Sequence, residues 1–297
     1  MSNAATATAT ATATASFTVH PFDGALGADI RGIDLNEPLS PDDVRALQAA
    51  WSRHLVLRFR GQQSLTLQSQ IAFSRQFGKL DTRPTGSYEM SKHHDALPAE
   101  ITVISNVKVD DKPLGALGDG EAVWHSDMTY NARPPRGACL RAQEIPPEGG
   151  NTFFANLHAA YDSLEPAVKE RIASLKCVHD ASRNSAGELR LGYKDIADPR
   201  QTVGAVHPLV ARHAGSGRLH LMLGRRPKAY IQDLPLEASE ALLDLLWAHA
   251  TQPRFTWAQV WQLGDLVMWD NAATLHRRDP FDPKSRRLMY RTQIASA

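Results

Sequence analysis

The sequence predicts a mainly β protein with packed helices (α+β), whose strands form a barrel of the jelly-roll type. Many short segments carry the apolar patterns of strands and only a few carry the spacing of helices, a mixture that is typical of a jelly roll. A His-x-Asp pair and a histidine far downstream fit one candidate metal site. That site requires strands that are distant in the chain to lie side by side.

Strands are predicted along the whole patterned part of the chain. Alternation, or a short apolar run between turn residues, indicates each of them. In chain order they are residues 17–22, 26–35, 54–59, 101–107, 136–145, 149–154, 205–210, 219–223, 255–261, 265–269 and 286–294. We expect 255–261 and 265–269 to form a hairpin, and the last strand to close the sheet.

Helices are predicted at four places. Ser40 followed by Pro41 is a strong helix start, because Ser caps the first turn and Pro suits the first helical position. A second helix begins at Ser64 or Thr66 and ends at Gly78. Helical segments follow in 157–175, and 236–250 has the leucine spacing of an amphipathic helix.

A single catalytic domain is expected over residues 16–297, after a tail. Residues 1–15 are mostly an Ala-Thr alternation that has no large side chain to bury, so we expect a disordered tail. Two irregular polar segments, near 80–122 and 180–204, interrupt the patterned chain. Loops of this length in a compact domain usually have a function, and both are predicted to be lids.

Composition excludes several kinds of partner. A net charge of +1 gives no electrostatic basis for binding nucleic acid or an anionic membrane surface. No window of the sequence resembles a transmembrane helix. The two cysteines, Cys139 and Cys177, do not form a disulfide framework and fit a reducing compartment, so a cytoplasmic protein is expected.

The stretch Trp124-His125-Ser126-Asp127 holds the strongest chemical signal. In an extended strand His125 and Asp127 point to the same face, so both can reach one ion. His276 is the candidate third ligand. Two histidines and one carboxylate on one side of an ion form the facial triad of non-haem Fe(II) oxygenases. The alternative for an isolated His-x-Asp is a chance pair, and the residues after His276 argue against it.

Two arginines follow His276 at a spacing of four, Arg287 and Arg291. The apolar residues between and after them indicate a strand, on which this spacing places both arginines on one side. The alternative is a solvated basic face. An arginine that points into a barrel instead needs an anionic partner, and a planar guanidinium suits a carboxylate.

Taken together, these pieces resemble the Fe(II)/2-oxoglutarate-dependent dioxygenases of the taurine dioxygenase and dichlorophenoxyacetate dioxygenase family. The resemblance extends from about Phe17 to Ile294 and implies a double-stranded β-helix, the cupin-like jelly-roll barrel. It implies Fe(II), 2-oxoglutarate as cosubstrate and O2, and a homodimer or tetramer. The matching segments are Trp-His-Ser-Asp at 124–127, Gly-Gly-Asn-Thr at 149–152, Trp-Asp-Asn at 269–271, His276, Arg287 and Arg291.

The same resemblance implies roles for individual residues. His125, Asp127 and His276 would hold the iron, and no catalytic residue is expected beyond this centre. Thr152 would donate a hydrogen bond to 2-oxoglutarate, and the alternative is a threonine placed by β propensity alone. Arg287 would pair with the distal carboxylate of 2-oxoglutarate. Arg291 would lie near both the cosubstrate and an anionic group of the substrate.

The implied reaction is hydroxylation of a small organic anion, with release of succinate and CO2. A carboxylate, a sulfonate or a sulfate ester fits, with or without an aryl group. Taurine itself is not expected, because Arg83 and Gly86 stand where taurine dioxygenase carries a His and a Tyr. Arg83 is a candidate extra anion contact, and a solvated loop arginine is its alternative.

Two other functions remain open at the level of the sequence. The same cofactor chemistry can give desaturation or cyclisation in a biosynthetic pathway instead of hydroxylation. A non-oxygenase metal-binding β-barrel protein, for example one with a zinc site, is the third hypothesis. It gives no reason for the two downstream arginines.

Overall fold

The computed structural model describes residues 15–83, 91–118 and 122–296. The predicted tail therefore lies outside the described residues except for its last residue, and so does Gly86. Within the described ranges, none of the helices has the length and apolar character that crossing a membrane requires.

The strands are short. Each predicted range overlaps a strand, and further strands that were not in the predicted ranges lie within 108–117, 176–178, 230–231 and 274–278. Their bounds are β1 Thr18–Pro21, β2 Ala28–Arg31, β3 Val56–Phe59, β4 Thr102–Ser105, β5 Lys108–Val109, β6 Lys112–Pro113, β7 Ala116–Leu117, β8 Ala122–His125, β9 Gly137–Glu144, β10 Thr152–Asn156, β11 Lys176–Val178, β12 Val206–Pro208, β13 Val210–Arg212, β14 Leu219–Leu221, β15 Tyr230–Ile231, β16 Thr256–Gln259, β17 Leu266–Asp270, β18 Thr274–Arg278 and β19 Leu288–Ile294.

Helices lie between the strands and are fewer. Their bounds are α1 Pro41–His54, α2 Leu67–Arg75, α3 Lys92–Asp95, α4 Leu157–Asp162, α5 Pro166–Ile172 and α6 Leu236–Ala250, with 3-10 turns at Pro199–Gln201 and Pro253–Phe255. The predicted caps are confirmed. The backbone N of Asp43 donates to Ser40 Oγ at the start of α1, and Thr66, rather than Ser64, caps α2.

Two sheets carry most of the structure. The larger has eight strands in the order β1-β2-β3-β17-β9-β19-β4-β7, and the smaller has four in the order β16-β10-β18-β8. Neighbours in both sheets are often far apart in the sequence, as the candidate metal site requires. The fold is therefore mostly sheet with some helices, which confirms the predicted class.

The two sheets pack face to face through a buried apolar cluster. Phe154 of the small sheet packs with Trp269 and Met289 of the large one, and each is at most 2% exposed. On its other face the large sheet is covered by α1 and α2, through Trp51 and Phe73. The space between the sheets is where side chains from both can meet.

The predicted hairpin of residues 255–261 and 265–269 is wrong. β16 pairs with β10 in the small sheet, whereas β17 lies between β3 and β9 in the large one. All five residues of β17 are buried, so this strand is central in its sheet and has partners on both edges. Between the two strands Asp265 accepts from the backbone N of Gln262, and the chain changes sheets there.

Substitution of Gly137 by Ala should destabilise the protein. An added Cβ would overlap the carbonyl oxygen of Trp269 and the ring of Trp51, so the free energy of unfolding should fall by about 1–3 kcal/mol. The midpoint of urea unfolding measures this. Gly24→Ala is the matched control, because nothing lies within 4 Å of its Cβ position. Equal midpoints for the two variants would contradict the packing argument.

Candidate metal centre

The structure brings His125, Asp127 and His276 together, and each is buried. One candidate ligand atom from each residue lies within 4.8 Å of the other two. His276 on β18 pairs directly with His125 at the end of β8, and the centroids of their rings are 4.1 Å apart. Directly paired residues of neighbouring strands project to the same face of the sheet, so the register places both imidazoles on one side.

Asp127 is placed by a side chain and not by the strand. The prediction that His125 and Asp127 share one strand is wrong in this detail, because β8 ends at His125. The backbone N of Asp127 donates to Oδ1 of Asn271 at 2.7 Å, and Nδ2 of Asn271 donates to the carbonyl oxygen of Asp127 at 2.9 Å. This reciprocal pair fixes the backbone that carries the carboxylate.

The histidines present their Nε2 atoms to the carboxylate. Nδ1 of His125 lies 2.7 Å from the carbonyl oxygen of Val123, a contact that leaves Nε2 free to bind an ion. Nε2 of His125 lies 3.7 Å from Oδ1 of Asp127, and Nε2 of His276 lies 3.9 Å from Oδ2. Trp269 packs beside His276 with a centroid distance of 5.1 Å, so its place is in the wall of the site.

Charges at the centre favour the forms that bind a metal. Burial alone would raise the pKa of Asp127, but Arg291 and the two histidines hold it well below its usual range. Burial lowers the pKa of His276 to about 4, an effect that Asp127 partly opposes. It also lowers the pKa of His125 well below its usual value. At neutral pH the three groups are a carboxylate and two neutral imidazoles, which are the forms that ligate metals.

Arg291 joins the large sheet to the centre. Its Nη1 lies 3.2 Å from both carboxylate oxygens of Asp127. Because Arg291 is on β19 and the triad is carried by the small sheet and the residues next to it, this ion pair spans the gap between the sheets. Arg291 therefore contacts the triad, and its position beside the cosubstrate and the substrate stays a prediction.

Arg287 is a buried cation that lacks a carboxylate. Its side chain is 1% exposed, and neither Nε nor Nη1 has a hydrogen-bond partner within the described ranges. Burial, together with the nearby charge of Arg278, lowers the pKa of Arg287 to about 9. Gly150 lies against the side chain of Arg287, since a Cβ on Gly150 would be 3.2 Å from Nε of Arg287. An incoming carboxylate would satisfy this guanidinium.

Thr152 and Arg83 are less directly connected to the centre. Oγ1 of Thr152 accepts a hydrogen bond from Nε1 of Trp261 at 3.1 Å, which leaves the hydroxyl hydrogen available to a further acceptor. Nη1 of Arg83 donates to the carbonyl oxygens of Leu97 and Pro98 at 3.0 and 2.8 Å. These bonds tie Arg83 to its own segment, and its contact with substrate stays a prediction.

Arg225 was not found by sequence reasoning. It forms an isolated β-bridge with His125, and the backbone N of Ser126 donates to the carbonyl oxygen of Gly224 at 2.8 Å. A bridge of one residue pair has no periodic signal in a sequence. Asn271 was part of a matched segment, but only the structure gives its role.

The donor set fits a divalent transition metal. Two imidazoles and one carboxylate on one side leave coordination positions open for other ligands, and this arrangement suits non-haem Fe(II). The buried guanidinium of Arg287, whose Nε and Nη1 have no partner among the described residues, fits an anionic cosubstrate. The residues present therefore fit both the iron and the 2-oxoglutarate that the sequence predicts.

Comparison with known proteins identifies the same family that the sequence resembles. A model of the Taurine catabolism dioxygenase TauD, TfdA family matches residues 18–293. An alpha-ketoglutarate-dependent 2,4-dichlorophenoxyacetate dioxygenase of Cupriavidus pinatubonensis is 35% identical, over 93% of this chain and 96% of the relative. Pentalenolactone F synthase of Streptomyces arenae is 32% identical, over 91% of this chain and 93% of the relative.

A solved structure resembles this fold over nearly its whole length. It is AAD-2 in complex with Mn(II) and N-oxalylglycine, which is 30% identical to this chain. The TM-score is 0.75, and the match covers 95% of this chain and 98% of the other.

Substitution of Asn271 by Ala should weaken metal binding. The change removes both hydrogen bonds to the backbone of Asp127, and loss of a group that orients a ligand typically costs about 10–100-fold in metal affinity. Titration of the protein with Mn(II), followed by calorimetry, measures the affinity.

The control separates metal affinity from stability. Asn156→Ala removes a comparably buried amide from β10, where it caps α4 and donates to the carbonyl oxygen of Ala25. We expect this variant to lose stability and keep its Mn(II) affinity. Unchanged affinity in Asn271→Ala would show that Asp127 does not depend on this amide.

Proposed function

The chain belongs to the Taurine catabolism dioxygenase TauD, TfdA family, and we propose that His125, Asp127 and His276 hold its iron. It is a 2-oxoglutarate-dependent dioxygenase. The proposal concerns which of its residues bind the iron, the cosubstrate and the substrate. The observation that carries it is the convergence of three buried candidate ligand atoms within 4.8 Å of one another. The guanidinium of Arg287, buried with no partner for Nε and Nη1 among the described residues, supports the cosubstrate assignment. Family membership also removes the non-oxygenase hypothesis.

When bound, Fe(II), 2-oxoglutarate and O2 supply the oxidative decarboxylation that yields succinate and CO2 and oxidises the substrate. The chain supplies binding, orientation and a site from which water is excluded. Arg287 anchors the distal carboxylate of 2-oxoglutarate, and Thr152 donates a hydrogen bond to the same molecule. Phe154 and Trp269, both buried beside His276, form an apolar wall that keeps water from the metal.

The proposed substrate is a small organic anion that is hydroxylated. A carboxylate, sulfonate or sulfate ester fits the cationic surroundings of the centre. The Cupriavidus relative, named for 2,4-dichlorophenoxyacetate, supports an aryl-bearing carboxylate. Arg291, which contacts Asp127, would face both cosubstrate and substrate.

Finer points of the architecture belong to the same proposal. We propose that the two sheets are the halves of a double-stranded β-helix, within one catalytic domain over 16–297. The segments 80–122 and 180–204 would be its lids. A homodimer or tetramer in the cytoplasm stays a prediction, and the free, buried Cys139 and Cys177 are consistent with a reducing compartment.

A second outcome uses the same centre. The Streptomyces relative is named as a synthase, which favours a biosynthetic desaturation or cyclisation as the alternative. Product mass separates the two, because hydroxylation adds one oxygen and desaturation removes two hydrogens.

An anaerobic visible spectrum of the protein with Fe(II) and 2-oxoglutarate tests the proposed site. A weak charge-transfer band is expected when the cosubstrate chelates the iron. A shift of that band on addition of an aryloxyalkanoate, a sulfonate or a sulfate ester would then identify the substrate class. Absence of the band from protein that has bound iron would overturn the cosubstrate assignment.

Replacement of His276 by Ala should abolish iron-dependent turnover of 2-oxoglutarate, because two ligands cannot hold the metal as three do. Succinate formation and Mn(II) affinity are the measurements. His220→Ala is the control, since His220 is equally buried but bonds its ring to the carbonyl oxygen of Leu221. Retained turnover in His276→Ala would remove His276 from the ligand set.

Replacement of Arg287 by Ala should raise the 2-oxoglutarate concentration needed for half-maximal turnover by ~30-fold or more. This corresponds to about 2 kcal/mol or more, the cost of leaving a carboxylate without its charged partner. Arg286→Ala is the matched control, because the neighbouring Arg286 is exposed and pairs with Glu144 at 2.6 Å. An unchanged requirement in Arg287→Ala would place the anchor elsewhere.

A further inference from the structure

Arg225 lies beside the metal centre on the side of the imidazoles. It is directly paired with His125 in the isolated β-bridge, and residues paired in this way project to the same face. The hydrogen bond from Ser126 to the carbonyl oxygen of Gly224 holds this backbone in place. The side chain of Arg225 therefore starts on the face from which His125 reaches the ion.

The guanidinium of Arg225 is buried without a counter-ion. The residue is 6% exposed, and its Nε is buried with no hydrogen-bond partner in the described part of the chain. Nη1 donates to the carbonyl oxygen of Arg183 at 2.6 Å, which is a neutral acceptor. Among the described residues no carboxylate lies within ion-pair distance of it. A buried cation in this condition is costly unless an anion joins it.

Asp127 does not supply that anion. Its two oxygens are already contacted by Nη1 of Arg291 at 3.2 Å, and they are committed to a metal ion in the proposed function. The charge of Arg225 nevertheless acts on the centre, where it helps to lower the pKa of Asp127. The two groups are close enough to interact, and Arg225 still has no ion pair among the described residues.

A purely structural role does not account for the buried charge of Arg225. The bond to Arg183 could tie down the segment that follows β11, but it leaves the buried Nε without a partner among the described residues. Arg141 also has a buried Nε with no partner in those residues, but its guanidinium lies over the ring of Tyr290, 5.4 Å from the centroid. The cosubstrate already has an anchor in Arg287 under the proposed function.

We propose that Arg225 binds the anionic group of the primary substrate, which makes it a specificity-determining residue of this enzyme. The ligand chemistry is an oxyanion, either a carboxylate, a sulfonate or a sulfate, on an organic molecule whose reacting carbon reaches the open side of the metal. This inference rests on the proposed function. The inference adds a second arginine to the substrate site, because Nη1 of Arg291 already contacts Asp127.

Substrate binding to the holoenzyme tests the proposal. Protein loaded with Fe(II) and 2-oxoglutarate under anaerobic conditions is titrated with phenoxyacetate and hexyl sulfate, and with the neutral molecules phenoxyethanol and hexanol. The shift of the charge-transfer band reports each dissociation constant. The wild-type protein should prefer the anions. Equal binding of anions and their neutral counterparts would overturn the proposal.

Variants then locate the preference. Arg225→Met should weaken anion binding at least tenfold, with little change for the neutral molecules, and Arg225→Lys should retain part of it. Arg226→Met is the matched control, because the neighbouring Arg226 pairs with Glu240 at 2.6 Å and with Asp244 at 2.7 Å. We expect anion binding by this control to stay within twofold of wild type, since the same unit charge is lost away from the ligand.

The possible failures can be told apart. Absence of the band in iron-loaded wild type contradicts the proposed function. A normal band with anion binding unchanged in Arg225→Met contradicts this inference alone. A raised 2-oxoglutarate requirement in Arg225→Met would assign Arg225 to the cosubstrate and also overturn it.

A measurement on the wild type avoids any folding defect of the variants. A crystal structure with Mn(II), N-oxalylglycine and phenoxyacetate should show the carboxylate of phenoxyacetate within hydrogen-bond distance of Arg225. A carboxylate bound elsewhere in the cavity would contradict the proposal.

Discussion

The register of β18 is the constraint on which the rest of the site depends. His276 is paired with Phe154 on one side and with His125 on the other, so one position fixes a proposed metal ligand, the second proposed histidine ligand and the apolar wall beside them. Because side chains alternate along a strand, a slip of one residue would turn His276 away from the centre and remove all three relations at once. The apolar packing between the sheets holds this register, and through it the chemistry depends on the core.

The centre is built with an excess of positive charge. Arg225 and Arg291 both act electrostatically on one carboxylate, Asp127. The buried guanidiniums of Arg225 and Arg287 have no ion pair within the described residues. Burying such cations costs free energy unless anions join them. That cost is offset when anions enter, so the site favours ligands that bring negative charge with them. Selectivity for charge therefore comes from burial as much as from the number of arginines.

Much of the fold and of the candidate site could be predicted from the sequence. The predictions that failed did so for physical reasons. Most strand and helix positions followed from side-chain periodicity and from the caps at Ser40 and Thr66, whereas two-residue strands such as β5 and β6 are too short to show a period. The candidate metal residues, which the fold brings together, followed from donor chemistry. The hairpin prediction failed because adjacency in sequence does not decide between two sheets, and the buried run of β17 found partners on both edges. Asp127 lies beyond the end of its expected strand. The side-chain amide of Asn271, and not hydrogen bonds between strands, fixes its backbone. Arg225 reaches the centre through one bridge, which leaves no pattern to detect.

The ion pair between Arg291 and Asp127 bears on the order in which the enzyme is assembled. A buried carboxylate without a counter-ion would oppose folding, yet here a cation of the chain itself is in contact with it. The newly made polypeptide can therefore reach its final packing before any iron is present. If Asp127 holds the iron, as proposed, the metal would be bound by a chain that has already folded. Iron supply would then limit how much of the enzyme is active, and not how much of it folds.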